Sequence, residues 1–408
     1  MRVLLLACCA ALMPAADLYI RNVTYIDVTG GGKPHRTNLW IAGDRVRAQG
    51  ALVRAPAGAQ LVAGEGKFLI PGLWDAHFHL IRDDADVSPV LGKLLAHGIT
   101  TVRDMGSVPE RIVALRDAIA AGKTEGPRLL VAGPMIDGPP SKAGPTMHVV
   151  ANAAEATAEV ERLAALKVDF LKVQQNLPAE AYGAVMAHAK QRGMTVMGHT
   201  PDAVTVSDAV KAGQMSIEHL TGVLVACSAR ESELREAIAK GAAGIDFGPV
   251  GDAGRIALDS YSEPKAAQLF RRWMGGYMVP TLVWEKAFLL APSTRRKPET
   301  VAVLKEYFAK GMSLVRAMHA AGLKFVAGTD GGDNFTEPGI GLHQELELLV
   351  EAGLTPMEAL QAATVHPAAM MRRPLPATDF VLLSANPLED IRNTRQVEAV
   401  IVNGRLVR

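Results

Sequence analysis

Residues 68–80 read F-L-I-P-G-L-W-D-A-H-F-H-L. A short apolar run, punctuated by Pro71 and Gly72 and ending in His77 and His79, reads as a buried strand carrying two imidazoles to its C-terminal end. Side chains alternate along a strand with period two, so both imidazoles leave on one side. Taken alone they are either paired metal ligands or two satisfied histidines in the mouth of a barrel.

Downstream, apolar runs of four to eight residues alternate with helix-period stretches, the pattern of repeated βα units around a parallel sheet. The runs end near His77, Asp104, Ile136, Lys172, His199, His219, Thr281 and Asp330, and eight such units close a barrel. Residues 153–166 and 342–353 place apolar side chains three and four apart, as an outer ring of helices requires, and the second stops at Gly353. The expected fold is α/β: a (β/α)₈ TIM-type barrel over residues 70–376. Part of the long connection between His219 and Thr281 is expected to form a helical lid over the substrate pocket.

Upstream, L-Y-I-R-N-V-T-Y-I-D and N-L-W-I-A-G-D-R-V are β-branched segments broken by Gly-rich turns, and D-F-V-L-L and V-E-A-V-I-V-N-G-R-L-V repeat that style at the far end. Residues 17–69 and 377–408 are therefore expected to meet in a small β-sandwich. The first sixteen residues, M-R-V-L-L-L-A-C-C-A-A-L-M-P-A-A, have the layout of a signal peptide ending at Ala16. Export to a periplasmic or extracellular space is expected, with lipoprotein anchoring at Cys8 a minor option. Leader removal takes Cys8 and Cys9 and leaves Cys227 alone, a small buried hydrophobe.

Net charge is +1 from 43 basic and 42 acidic side chains, without long runs of one sign, which argues against a nucleic-acid surface. No later segment offers a membrane-length apolar run, so no membrane contact is expected after leader removal. The natural partner is a small molecule, and assembly of the chain with copies of itself stays open.

V-D-F-L-K-V places Lys172 in an apolar run, where a bare ammonium is costly unless it is paired or chemically altered. A salt bridge to Asp169 is one solution. The other is uptake of carbon dioxide to give a carbamate that bridges two divalent cations. M-T-V-M-G-H-T-P and M-S-I-E-H-L then deliver His199 and His219, and L-K-F-V-A-G-T-D-G-G ends on Asp330. All six residues fall at strand ends on the C-terminal face, where a barrel of this kind performs its chemistry.

At this point the chain resembles the amidohydrolase superfamily, and within it the imidazolonepropionase-like and Xaa-Pro dipeptidase-like group. The resemblance rests on P-G-L-W-D-A-H-F-H, G-I-T-T-V-R-D-M-G, L-K-V, G-H-T, S-I-E-H, G-T-D and A-G-L-T-P-M-E-A-L-Q-A-A-T-V-H-P-A, in that order over nearly all of the mature chain. It implies a first metal on His77 and His79, a second on His199 and His219, carbamylated Lys172 between them, and Asp330 as a ligand of the first metal that also moves the proton. Such a donor set suits zinc and admits manganese, cobalt or iron. The implied reaction is hydrolysis of an amide C–N bond, in a dipeptide or N-acyl amino acid, by a metal-activated water with Asp330 as base and then acid. Opening of a cyclic amide or lactone is the alternative chemistry, and a barrel that only binds is the non-catalytic one.

Other residues carry less. His148, in G-P-T-M-H, is a candidate substrate contact. Arg103 and Asp104 are expected to pair with each other, and Trp284 and Tyr277 either line the pocket or join the core. His35, His97, His188, His319, His343 and His366 sit in turns or helical stretches, where surface or capping roles suffice.

Overall fold

The computed structural model describes residues 17–30, 33–241, 252–290 and 298–408. The expected leader, with Cys8 and Cys9, lies outside the described residues. The alternating N-terminal segments form β1 (Leu18–Tyr25), β2 (His35–Ala42) and β3 (Arg45–Gly50), paired antiparallel in that order. On the other edge of β1, β4 (Gln60–Ala63) and β5 (Phe68–Pro71) pair parallel, one after the other. Gly72 is where the chain leaves this sheet for the barrel, and it must be glycine: a Cβ there would lie 2.1 Å from Thr100 Oγ1.

The barrel starts with β6 (Leu73–Phe78), β7 (Ile99–Asp104) and β8 (Arg128–Val131), all parallel. Two short strands follow, β9 (Met135–Asp137) and β10 (Met147–Val149). The barrel continues through β11 (Leu171–Val173), β12 (Val196–Gly198), β13 (Ser216–Glu218), β14 (Tyr277–Val279) and β15 (Lys324–Phe325). One seam is closed by the Asp169 amide on Val131 O at 2.8 Å, the other by the parallel bridge of Phe78 with Gly331. The third barrel strand thus ends at Val131 and not near Ile136. Gly133, at φ 75°, and Pro134 break the run, and the residues beyond restart as β9, which pairs with β11 at Val173.

Helices on the outside follow their sequence signals. Asn152 caps Ala153–Ala165 by accepting from the Glu155 amide, and Thr355 and Glu358 form a reciprocal capping box on Pro356–Ala362. The connection after β13 is helical, with Val223–Ala226, Glu231–Ala239, Asp252–Asp259 and Glu263–Arg272. It is not a lid among the described residues. Val223, Leu234, Leu258, Phe270 and Trp273 turn into the core shared with the outer helices, and none of them lines the central cavity. No described helix is long and apolar enough to cross a membrane.

The chain returns as β16 (Phe380–Leu383), antiparallel to β5, followed by β17 (Val397–Val402) and β18 (Arg405–Leu406). The first and last described strands therefore share one eight-stranded sheet. One face carries a core of its own, with Leu18, Ile20, Leu39, Ile41, Phe380 and Ile401; Val381, Leu383 and Val400 of the other face join the barrel's core. The sheet curls until its distant turns touch, since a Cβ on Gly404 would lie 1.8 Å from Gly43 O. Trp74, Leu130, Phe170, Met197 and Tyr277 pack together in a separate buried cluster.

Candidate active site

His77 and His79 come from the end of β6, Lys172 from β11, and His199 and His219 from the residues just after β12 and β13; Asp330 follows β15. Backbone strain marks this rim. His219, Thr281 and Asp330 all sit at left-handed φ (59°, 47° and 50°), a conformation that costs of order 1–3 kcal/mol for residues with a side chain. Packing at the same rim is close: at Gly332, φ 107°, a Cβ would lie 2.0 Å from His79 O.

The imidazoles are aimed by their Nδ1 atoms. His77 Nδ1 donates to Glu218 Oε2 at 2.9 Å, His79 Nδ1 donates to Gly106 O at 2.7 Å, and His219 Nδ1 meets Thr281 Oγ1 at 2.6 Å. With its proton on Nδ1, a neutral His77 or His79 ring leaves the Nε2 lone pair facing inward. Asp330 Oδ1 lies 3.3 Å from His77 Nε2 and 3.2 Å from His79 Nε2, and Oδ2 lies 3.8 Å from His219 Nε2. The His77 and His219 rings are 4.7 Å apart and the His199 and His219 rings 4.9 Å. Ligand atoms of His77, His219 and Asp330 all fall within 4.8 Å of one another, the spacing of a metal site. His77 Nε2 is buried and makes no hydrogen bond among the described residues, so a cation suits it better than the protein does.

A buried ion pair that the sequence did not reveal supports His77. Arg103, fully buried, donates through Nη2 to both oxygens of Glu218, at 3.0 and 2.9 Å, and through Nε to Ala76 O. Ser216 Oγ donates to Glu218 Oε1 at 2.5 Å. Arg103 does not pair with Asp104, which instead accepts from the Leu80 amide and Ser107 Oγ. Asp75 ties β6 to the loop after β15, accepting from the Thr329 amide at 3.0 Å and Thr329 Oγ1 at 2.7 Å. The partners stand far apart in sequence, and the only local hint was Glu218 beside His219 in S-I-E-H.

Lys172 is 1% exposed and faces the same cavity. Asp169 is not its partner: that carboxylate is taken by Arg116 at 3.1 Å and Arg373 at 3.3 Å. Burial lowers the Lys172 ammonium to about 8. Burial also holds His77 and His199 well below the ordinary histidine value, and His219 at about 3. For Asp330 burial pushes upward, but the His219 and His79 imidazoles and Lys172 outweigh it and hold the carboxyl below its usual range. His77, His199 and His219 are thus neutral imidazoles beside the ionised Asp330, which is the protonation that metal ligands need.

The cavity above these groups measures about 210 Å³ and is walled by Arg82, Met135, Thr146, Gln174, Trp284 and Asp333. His148 is not brought to it. Its side chain is 45% exposed and turned to Glu159 at 3.5 Å, while Thr146, two residues earlier, takes the wall position. Trp284 lines the cavity and Tyr277 is core. Of the remaining histidines, His188 pairs with Glu161, His319 with Glu358, and His366 with Phe325 O. His343 is not a surface residue: it is fully buried against Thr394. Cys227 is buried too, which pushes its thiol up to about 12.

Residues 68–407 match the model of the amidohydrolase family. A solved structure from Bifidobacterium longum, assigned as a prolidase, superposes with a TM-score of 0.73 at 25% identity, over 97% of this chain and 95% of that one. An ochratoxinase of Aspergillus niger is 24% identical over 384 residues, 81% of this chain and 73% of its own. A deacetylase of Agrobacterium fabrum is 32% identical over a shorter stretch of 97 residues, 23% of this chain and 24% of its own.

Proposed function

The chain belongs to the amidohydrolase family, and from that premise we propose that it cleaves an amide C–N bond in a dipeptide or an N-acyl amino acid. Two divalent cations, zinc by the character of the donors, would be held by His77, His79, Lys172, His199, His219 and Asp330. Lys172 joins this set as a carbamate: its neutral amine adds to carbon dioxide and releases one proton. The observation that carries the reading is the convergence of His77, His219 and Asp330 with a buried imidazole nitrogen left without a hydrogen bond.

Metal bound at such a site acidifies a water and polarises the substrate carbonyl. The chain's own groups do the rest. Asp330, ionised and central, accepts a proton from the attacking water and passes it to the departing nitrogen, acting as base and then as acid. Glu218, fixed by Arg103, keeps the proton of His77 on Nδ1. The prolidase assignment of one relative and the deacetylase name of another support an amide as the bond broken.

The test is turnover of metal-loaded protein on dipeptides, N-acyl amino acids, cyclic amides and lactones, with Asp330→Asn beside it. Free amino acid is expected from the first two classes, with kcat reduced about 10²- to 10⁴-fold in the variant. Turnover confined to lactones or cyclic amides would replace this reading.

A further inference from the structure

Two features of the cavity wall are unused by the chemistry above, and they differ in kind. The first is an aromatic face. The Trp284 ring stacks on Phe288 at 4.8 Å and 9°, and Phe335 meets both edge-on, at 5.7 and 5.4 Å. Trp284 also lies 6.2 Å from the His219 ring, so this face begins beside the metal-ligating cluster. Asp333 fixes it in place, accepting from Trp284 Nε1 at 2.7 Å and from the Phe335 amide at 2.8 Å. Phe335 remains 42% exposed, one of the few large apolar side chains that do. An exposed aromatic ring packed edge-on against a half-buried ring that lines the cavity is a feature of binding surfaces.

The second is a cation. Arg82 follows His79 by three residues, lines the cavity, and makes no ion pair among the described residues. The acids beside it in sequence are engaged elsewhere: Asp84 pairs with Arg111 at 2.8 Å, and Asp83 Oδ1 accepts from the Ala85 amide at 2.9 Å. A guanidinium left in this way can take a carboxylate.

Resting on the amide-hydrolase reading of this site, the geometry points to a narrower substrate class. The substrate is an N-acyl amino acid, or a dipeptide, that sets a large apolar or aromatic group of the acyl side against Trp284 and Phe335. Its free carboxylate, on the leaving amino acid, is held by Arg82. The scissile carbonyl then lies between them, over Asp330.

Binding of N-benzoylglycine, N-acetylglycine and N-benzoylglycinamide to the metal-loaded protein, by calorimetry, separates the two contacts. The wild type is expected to bind N-benzoylglycine about tenfold more tightly than either of the others. Arg82→Met should abolish the preference for the free carboxylate and keep the preference for benzoyl. Phe335→Ala, at an exposed position that folding tolerates, should do the reverse. Equal binding of all three, or variants that weaken every ligand alike, would overturn the proposal. Because the readout is binding, N-benzoylglycine that binds with this pattern without being cleaved would uphold the subsite and refute the hydrolytic reading; cleavage without discrimination would do the opposite.

Discussion

Arg103 and Glu218 lie at 0% exposure inside the barrel, 2.9 Å apart. Replacing either one by methionine leaves the other as a lone buried charge, which costs about 3–5 kcal/mol. Replacing both removes the charges together. What remains is the His77 Nδ1–H, deprived of its acceptor Glu218, at about 1–3 kcal/mol. The double variant is therefore expected to be less destabilised than either single one, where simple addition would give roughly 6–10 kcal/mol. Urea unfolding of the metal-free protein measures this from the shift in midpoint at constant slope. Glu218→Gln adds a second readout: His77 loses its charged anchor, and metal affinity, measured by competition with a chromophoric chelator, should fall about 10- to 100-fold. A double variant as damaged as the sum of the singles would refute the coupling, and unchanged metal affinity in Glu218→Gln would refute the link to His77.

Glu345, buried with Oε2 accepting from the Val283 amide, is raised by burial to about 8 from 4.5. The native state keeps that proton while the unfolded chain sheds it, so stability declines between those two values by up to about 1.4 kcal/mol per pH unit. Glu345→Gln should gain on the wild type from pH 5 to pH 8; parallel stability curves would show the carboxyl already ionised. His77, His199 and His219 have the opposite sign, being neutral in the native protein and lowered by burial from 6.5, to about 3 for His219. In metal-free protein their contribution is complete above the unfolded value and is lost as pH falls toward the folded one, and His219→Gln should flatten that loss. Gly332→Ala places a methyl 2.0 Å from His79 O at φ 107°, so it should cost more than about 1 kcal/mol and weaken metal binding; wild-type affinity in that variant would show the loop to be pliant.

The barrel and the six convergent residues were readable because both follow from local rules. Strand ends are set by apolar runs and the turns after them, and ligand-type residues at those ends gather wherever the strands close. Long-range pairing was not readable. Arg103 precedes Asp104 in sequence, yet its partner Glu218 is 115 residues away, reached only because β7 and β13 face each other across the barrel. The Trp284, Phe288 and Phe335 face has no period of its own, since it joins a helix after β14 to the loop after β15. His148 failed as a pocket residue because Glu159 on the next helix draws it outward. The described helices of the segment in which a lid was expected carry enough apolar residues to join the core, and composition alone did not tell those uses apart.

Metal content tests the central claim most directly: elemental analysis of the protein purified without chelator, beside Lys172→Ala, with amide hydrolysis run on both. About two equivalents of zinc or a similar cation per chain are expected in the wild type, with metal and hydrolysis lost together in the variant. Full metal occupancy and undiminished hydrolysis in Lys172→Ala would contradict a bridging lysine, and a wild type that neither holds metal nor cleaves any amide after metal and bicarbonate are restored would contradict the hydrolytic site itself.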